Sequence, residues 1–136
     1  MSTNLYIIFA IVAWGVGAIF TKVAANNLHP LVMAAVAELF YIIFVPIAII
    51  GTKTPITLNT NGFIFGFISA ACMGGGSLAY YFALQKGDVG AVAAATSVYP
   101  VLTVILSALI LNEDMSIKKI IGCILAVASV ILITQK

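Results

Sequence analysis

Residues 5–21, LYIIFAIVAWGVGAIFT, form a run of 17 residues without a charged side chain. Similar runs fill the rest of the chain: of 136 residues, 63% are hydrophobic and 7% are charged, and the mean hydropathy is +1.22. Soluble domains are about 25% charged. At about 20 residues per bilayer crossing, the chain has room for four or five crossings. The composition predicts an integral membrane protein and excludes a soluble domain, a disordered chain and a nucleic-acid binder.

Polar and turn residues divide the chain into five predicted transmembrane helices, an all-α bundle in one domain over 1–136. The predicted ranges are about 5–25, 30–50, 62–84, 89–111 and 117–134. Pro30 opens the second helix, where its missing N–H costs nothing. Asp88 and Ser116 are predicted to cap the fourth and fifth helices. Hydrophobicity is nearly uniform along each segment, which favours helices over the alternating strands of a membrane barrel.

The first apolar run differs from a cleavable signal peptide. Residues 1–4 carry no basic side chain, and the run is longer than a signal-peptide core. We therefore expect it to remain as a membrane helix. Cys72 and Cys123 both fall inside apolar runs, and we expect buried small side chains rather than a disulfide.

Small residues recur at every fourth position of the third helix, at Gly62, Gly66, Ala70 and Gly74. Such ridges let helix backbones approach closely in a membrane. One interpretation is packing within the bundle alone, and the other is a second copy packed against the chain. In the fourth helix, Pro100 cannot donate to the carbonyl of Thr96, so a kink is expected there.

The charges that flank the predicted helices are balanced between the two sides of the membrane. One side carries Lys53, Lys118 and Lys119, and the other carries Lys22, Lys86 and Lys136. Orientation follows the lysine and arginine bias of short loops, and here that bias is weak. The chain either inserts one way under control of its first helix or inserts both ways and pairs antiparallel, a symmetry related to the inverted repeats of transporters.

The sequence shows no arrangement of residues typical of an enzyme. It has one histidine, no Ser/His/Asp set, no cluster of metal ligands and no phosphate-binding loop. We therefore predict no catalytic residues, no metal and no cofactor.

Glu38 is the exceptional residue of the predicted membrane region. It lies eight residues beyond Pro30, roughly 12 Å along the helix at ~1.5 Å per residue. A charge at that depth costs about 2.5–3.5 kcal/mol by insertion scales, and such acids usually face a cavity or a partner. Three interpretations stay open: a proton-coupling acid or counter-charge for a cationic substrate, a structural pair with Lys22, and an inconsequential acid that snorkels to the interface.

Aromatic side chains with polar tips accompany this acid. Tyr41 shares a helix face with Glu38 at i, i+3, and Tyr99 adjoins the kink at Pro100. A mostly apolar pocket with a few hydrogen-bonding groups is the usual character of a small-molecule site. The candidate substrate- or proton-binding residues are Glu38, Trp14, Tyr41, Tyr81 and Tyr99.

The order of these features resembles the EamA-type domain of the drug/metabolite transporter superfamily over nearly the whole chain. The residues that carry the resemblance are Trp14-Gly15, Phe20, Lys22 and Pro30, then Tyr81-Phe82-Ala83-Leu84, Ala91 to Tyr99-Pro100, Glu113 and Gly122. The resemblance implies a multi-helix permease that moves metabolites or drugs across a prokaryotic cytoplasmic membrane.

Two features depart from that family pattern. Most members carry two such domains in tandem, whereas this chain has one and is expected to pair. Members often have arginine in the second helix where this chain has Glu38, and an acid there reverses the sign of the site. Glu113 matches the family's acidic residue before the last helix, and its chemistry alone indicates a loop acid.

The resulting hypothesis is a secondary transporter in the lipid bilayer that moves a small-molecule substrate by alternating access as a homodimer. Lys22 would balance Glu38 or gate one mouth, and Pro100 would act as a hinge. The alternatives are a half-transporter that needs a different partner chain and a non-transporting scaffold subunit.

Overall fold

The computed structural model describes residues 3–56 and 59–135. Over these residues the chain forms helices and no strands: α1 Thr3–Ala25, α2 Pro30–Thr52, α3 Thr60–Lys86, α4 Val89–Thr96, α5 Tyr99–Ile110 and α6 Ile117–Thr134. Five segments of the described chain are long and apolar enough to cross a membrane, with α4 and α5 together forming one of them. The prediction of an all-α membrane protein with five spans is confirmed. Lys136 lies outside the described residues.

The predicted helix starts at Pro30, Asp88 and Ser116 are confirmed. Pro30 is the first residue of α2, and His29 precedes it as the N-cap. The His29 Nδ1 accepts a hydrogen bond from the Leu31 N–H at 3.3 Å. The Asp88 carboxylate accepts from the Ala91 N–H at 3.1 Å. The Ser116 hydroxyl oxygen accepts from the Lys119 N–H at 3.3 Å. Each cap binds an amide of the first turn that has no partner inside its helix.

The fourth span is interrupted between Thr96 and Tyr99, so the kink expected at Pro100 is a short turn at Ser97 and Val98 that separates α4 from α5. Hydroxyl groups before the break bind carbonyls of the preceding turn. Thr96 donates to the Val92 carbonyl at 2.9 Å, and Ser97 donates to the Ala94 carbonyl at 2.7 Å. Such back-bonding bends helices, and Pro100 adds the loss of a backbone donor.

The chain divides into two compact units, Met1–Lys86 and Gly87–Lys136. In the first unit α1, α2 and α3 contact one another, and in the second α6 contacts both α4 and α5. The helices cluster as two sets of three, and the prediction of a single domain over 1–136 stays a prediction.

The buried residues of the first unit lie toward one edge, where α1 and α3 end and α2 begins. They are Ala25, Pro30, Met33 and Leu84, with Leu84 fully buried. The Gln85 Nε2 donates to the Ala25 carbonyl at 3.3 Å and to the Leu28 carbonyl at 3.1 Å. The Lys22 ammonium donates to the Leu84 carbonyl. We call these contacts of Lys22 and Gln85 the α1–α3 clamp.

Most large apolar side chains outside this edge are exposed, as is typical of helices solvated by lipid. The small-residue ridge of α3 also faces open space: a Cβ at Gly66 or Gly74 would meet no atom within 4 Å. Its predicted contact with a second copy stays a prediction. Cys123 is half-buried and Cys72 is exposed, so the expectation of burial was wrong for Cys72, because an apolar thiol on a membrane helix can face lipid.

The α1–α3 clamp predicts that Gln85→Leu destabilises the first unit. The variant loses two hydrogen bonds, each worth about 0.5–1.5 kcal/mol, and we expect the free energy of unfolding to fall by about 1–2 kcal/mol. Unfolding of the purified chain in detergent, followed by circular dichroism, measures the change. Gln135→Leu is the matched control because Gln135 lies beyond the end of α6. Equal stability of Gln85→Leu and the wild type would contradict a stabilising clamp.

Candidate functional site

Glu38 lies on the exposed surface of α2, eight residues after its first residue. Tyr41 follows one turn later and is 59% exposed. At ~1.5 Å per residue, the carboxyl group is about 12 Å along the helix from the membrane edge where α2 begins. An exposed acid inside a membrane span is costly and needs a polar neighbour or a protein partner.

Tyr81 of α3 completes a cluster with these two residues. It is half-buried, and its phenol lies within electrostatic range of both Glu38 and Tyr41. The packing of α2 against α3 brings the three side chains together. Three of the five binding residues predicted from the sequence therefore lie near one another. We call Glu38, Tyr41 and Tyr81 the Glu38 cluster.

A cavity of about 250 Å³ opens among α1, α2 and α3 beside this cluster. Its lining residues are Phe20, Thr21, Ala24, Leu28, Met33, Val36, Ala37 and Tyr81. Tyr81 belongs to both the cavity and the cluster, and Ala37 directly precedes Glu38. The lining is apolar except for Thr21 and Tyr81, which fits a small-molecule site with few polar groups.

Thr21 is the polar cavity residue that sequence analysis missed. Its hydroxyl donates to the Gly17 carbonyl at 2.9 Å, so the oxygen presents lone pairs rather than a free proton to the cavity. A threonine near the end of a membrane helix gives no sequence signal that separates this role from ordinary back-bonding to the preceding turn.

Lys22 follows Thr21 in the sequence and forms a hydrogen bond at the edge of the first unit. Its ammonium donates to the Leu84 carbonyl, one of the last carbonyls of α3, where a cation is favoured by the helix dipole. This contact places Lys22 in the α1–α3 clamp. Its predicted action as a counter-charge to Glu38 or as a gate stays a prediction.

The sequence matches a known protein family over almost its whole length. The sequence model of a family described as the EamA-like transporter family matches residues 1–135. This chain belongs to the EamA-like transporter family. It is also 32% identical over 123 residues to an uncharacterized protein of Methanocaldococcus jannaschii, covering 90% of this chain and 89% of the relative. No solved structure matches it.

The remaining predicted site residues of this EamA-like chain are Trp14 in the first unit and Tyr99 and Pro100 in the second. Trp14 is 70% exposed on α1 and does not line the 250 Å³ cavity. Tyr99 and Pro100 open α5 in the second unit, where Tyr99 is 59% exposed. Their predicted place in a shared cavity stays a prediction.

The second unit of the EamA-like chain contains its own cavity of about 380 Å³ between α5 and α6. The lining residues are Val101, Ile105, Met115, Ile120, Cys123, Ile124 and Val127. None of them carries a charge or a strong hydrogen-bonding group, so this cavity offers apolar contact but no means to orient a polar substrate.

The exposed position of Glu38 predicts that Glu38→Gln does not lower the thermal stability of the chain. An amide costs less than a carboxylate inside a membrane. By contrast, removing one partner of a buried structural ion pair costs about 3–5 kcal/mol. Thermal unfolding of both chains in the same lipid nanodiscs measures the difference, with Glu113→Gln as the control for an acid in a loop. A large loss of stability in Glu38→Gln alone would support the structural-pair interpretation instead.

Proposed function

We propose that this EamA-like chain is a secondary transporter of small organic solutes in the cytoplasmic membrane of a prokaryote. The observation that carries the proposal is the Glu38 cluster, an ionisable group with two phenols inside a membrane span and beside a cavity. Membership of the EamA-like transporter family supports it.

Glu38 is the proposed coupling residue. Ionisable residues inside transporter helices commonly take up and release protons or bind charged substrates. In the proposed cycle, Glu38 exchanges a proton for substrate, and Tyr41 and Tyr81 offer hydrogen bonds and ring faces beside it. Trp14 and Tyr99 stay proposed substrate-binding residues, each in its own unit.

Pro100 and Lys22 are proposed to take part in the conformational change of the transport cycle, as a hinge and a gate. The break between α4 and α5 gives the fourth span a point at which it can change direction between inward-open and outward-open states. Lys22 joins the ends of α1 and α3, so release of this contact would loosen one edge of the first unit. The proposed role of Lys22 is therefore a gate at that edge.

The active form is proposed to be a homodimer, with the two copies antiparallel. Glu38 is exposed in the single chain, and contact with a second copy would remove it from lipid. The open ridge of small residues on α3 offers a surface on which another helix can pack closely. The balanced lysines are compatible with insertion in both orientations.

Proton coupling predicts that Glu38→Gln abolishes solute-driven proton movement. Purified chain is placed in liposomes that contain a pH-sensitive dye, and each of a panel of small amines, amino acids and carboxylates is added outside. We expect at least one solute to change the internal pH with the wild type and with Glu113→Gln, and none to do so with Glu38→Gln. Equal rates in Glu38→Gln and the wild type would remove Glu38 from the mechanism.

The antiparallel dimer predicts that the carboxyl terminus is found on both sides of the membrane. Two fusions after residue 136 test this, one to a reporter active only in the cytoplasm and one to a reporter active only outside. We expect comparable activity from both fusions at matched expression. Activity from one fusion alone would exclude dual orientation and leave a parallel pair or a different partner chain.

A further inference from the structure

The cavity of the first unit contains two polar side chains, Thr21 and Tyr81. The Thr21 O–H is already donated to the Gly17 carbonyl at 2.9 Å, so its oxygen offers lone pairs to a ligand. The Tyr81 phenol can donate or accept a hydrogen bond, and its ring presents a negative π face. The Thr21 oxygen and the Tyr81 ring face both favour a ligand with donors or positive charge.

Glu38 places a negative charge beside the cavity. It follows Ala37, which lines the cavity, and its charge acts on the phenol of Tyr81, which also lines it. The sequence contains no arginine. The positive charge of Lys22 is directed to the Leu84 carbonyl at the C-terminal end of α3, where the partial negative charge of the helix end offsets part of it. Glu38 and the Tyr81 ring therefore favour a cation on their side of the cavity.

The size and lining of the cavity limit the apolar part of the ligand. An apolar cavity of about 150 Å³ binds benzene, and this one measures about 250 Å³. One aromatic ring with a short chain fits that volume. Phe20, Met33 and Val36 supply the apolar wall.

We propose that this cavity binds small organic monocations of the arylalkylamine type. The ammonium lies between the Glu38 carboxylate and the Tyr81 ring, where a cation–π contact adds to the charge attraction. The ring of the ligand packs against Phe20, Met33 and Val36 on α1 and α2. The inference names the substrate class of the proposed transporter. It rests on that proposed function only in the statement that the bound cation is also transported.

Binding to the full chain in nanodiscs, measured by equilibrium dialysis without any gradient, tests the proposal. The three probes are phenethylamine, its neutral analogue 2-phenylethanol and the anion 3-phenylpropionate, all at pH 7.5. We expect phenethylamine to bind at least tenfold more tightly than either of the other two. Equal or tighter binding of the alcohol or the carboxylate by the wild type would overturn the proposal without recourse to any variant.

Two pairs of variants locate the site. Glu38→Gln is expected to lower phenethylamine affinity at least tenfold, whereas Glu113→Gln keeps the wild-type affinity. Ala37→Leu fills the cavity and is expected to weaken the same ligand at least fivefold, whereas Ala35→Leu, on the same helix but outside the lining, has no such effect. Unchanged affinity in both Glu38→Gln and Ala37→Leu would place the ligand elsewhere and overturn the assignment.

The outcomes also separate this inference from the proposed transport function. Selective amine binding without solute-driven flux would support the cation site and contradict the transporter. Flux of neutral or anionic solutes with no preference for amines would support the transporter and contradict the cation site.

Discussion

The α1–α3 clamp is the contact on which the first unit depends. Carbonyls at helix ends lack partners inside their own helices, and here each helix supplies a donor to the end of the other. Lys22 of α1 binds the Leu84 carbonyl of α3, and Gln85 of α3 binds the carbonyls of Ala25 and Leu28. The residues buried in the unit lie at this same edge, and Ala24 and Leu28 carry its packing into the wall of the cavity. The shape of the cavity therefore follows from how the helix ends are joined.

Helix-end carbonyls at this edge of the first unit accept hydrogen bonds, whereas the carboxyl group of Glu38 is exposed on the surface of α2. Glu38 is the one acidic residue within the described helices, whereas hydroxyls such as those of Thr21, Thr96 and Ser97 bind backbone carbonyls one turn away. The chain thus keeps one expensive group in each copy, placed beside a half-buried tyrosine and a cavity. Functional sites are where proteins tolerate such local cost, which is why Glu38 is central to the proposed function.

Hydropathy and cap chemistry were enough to predict the five spans and the helix starts at Pro30, Asp88 and Ser116, because these depend on local sequence. Whether a proline interrupts its helix does not follow from the local sequence in the same way. Pro46 lies inside the continuous α2, whereas Pro100 adjoins the interruption between α4 and α5. The hydroxyls before Pro100 do not alone separate the two cases, because Thr21 and Thr103 bind carbonyls in the same way inside continuous helices. The sequence also brought Glu38 and Tyr41 to one helix face. It gave no sign of the clamp or of Thr21, because a contact to a backbone carbonyl leaves no complementary residue to detect.

The division of the chain at residue 86 bears on how it is assembled during synthesis. Every contact of the clamp lies within Met1–Lys86, although its hydrogen-bonded partners are up to 62 residues apart in sequence. The three helices that form the cavity and carry Glu38 can therefore join in the membrane while α4–α6 are still being made. The half of the molecule that carries Glu38 is synthesised first, and the later helices enter a bilayer that already holds those three helices.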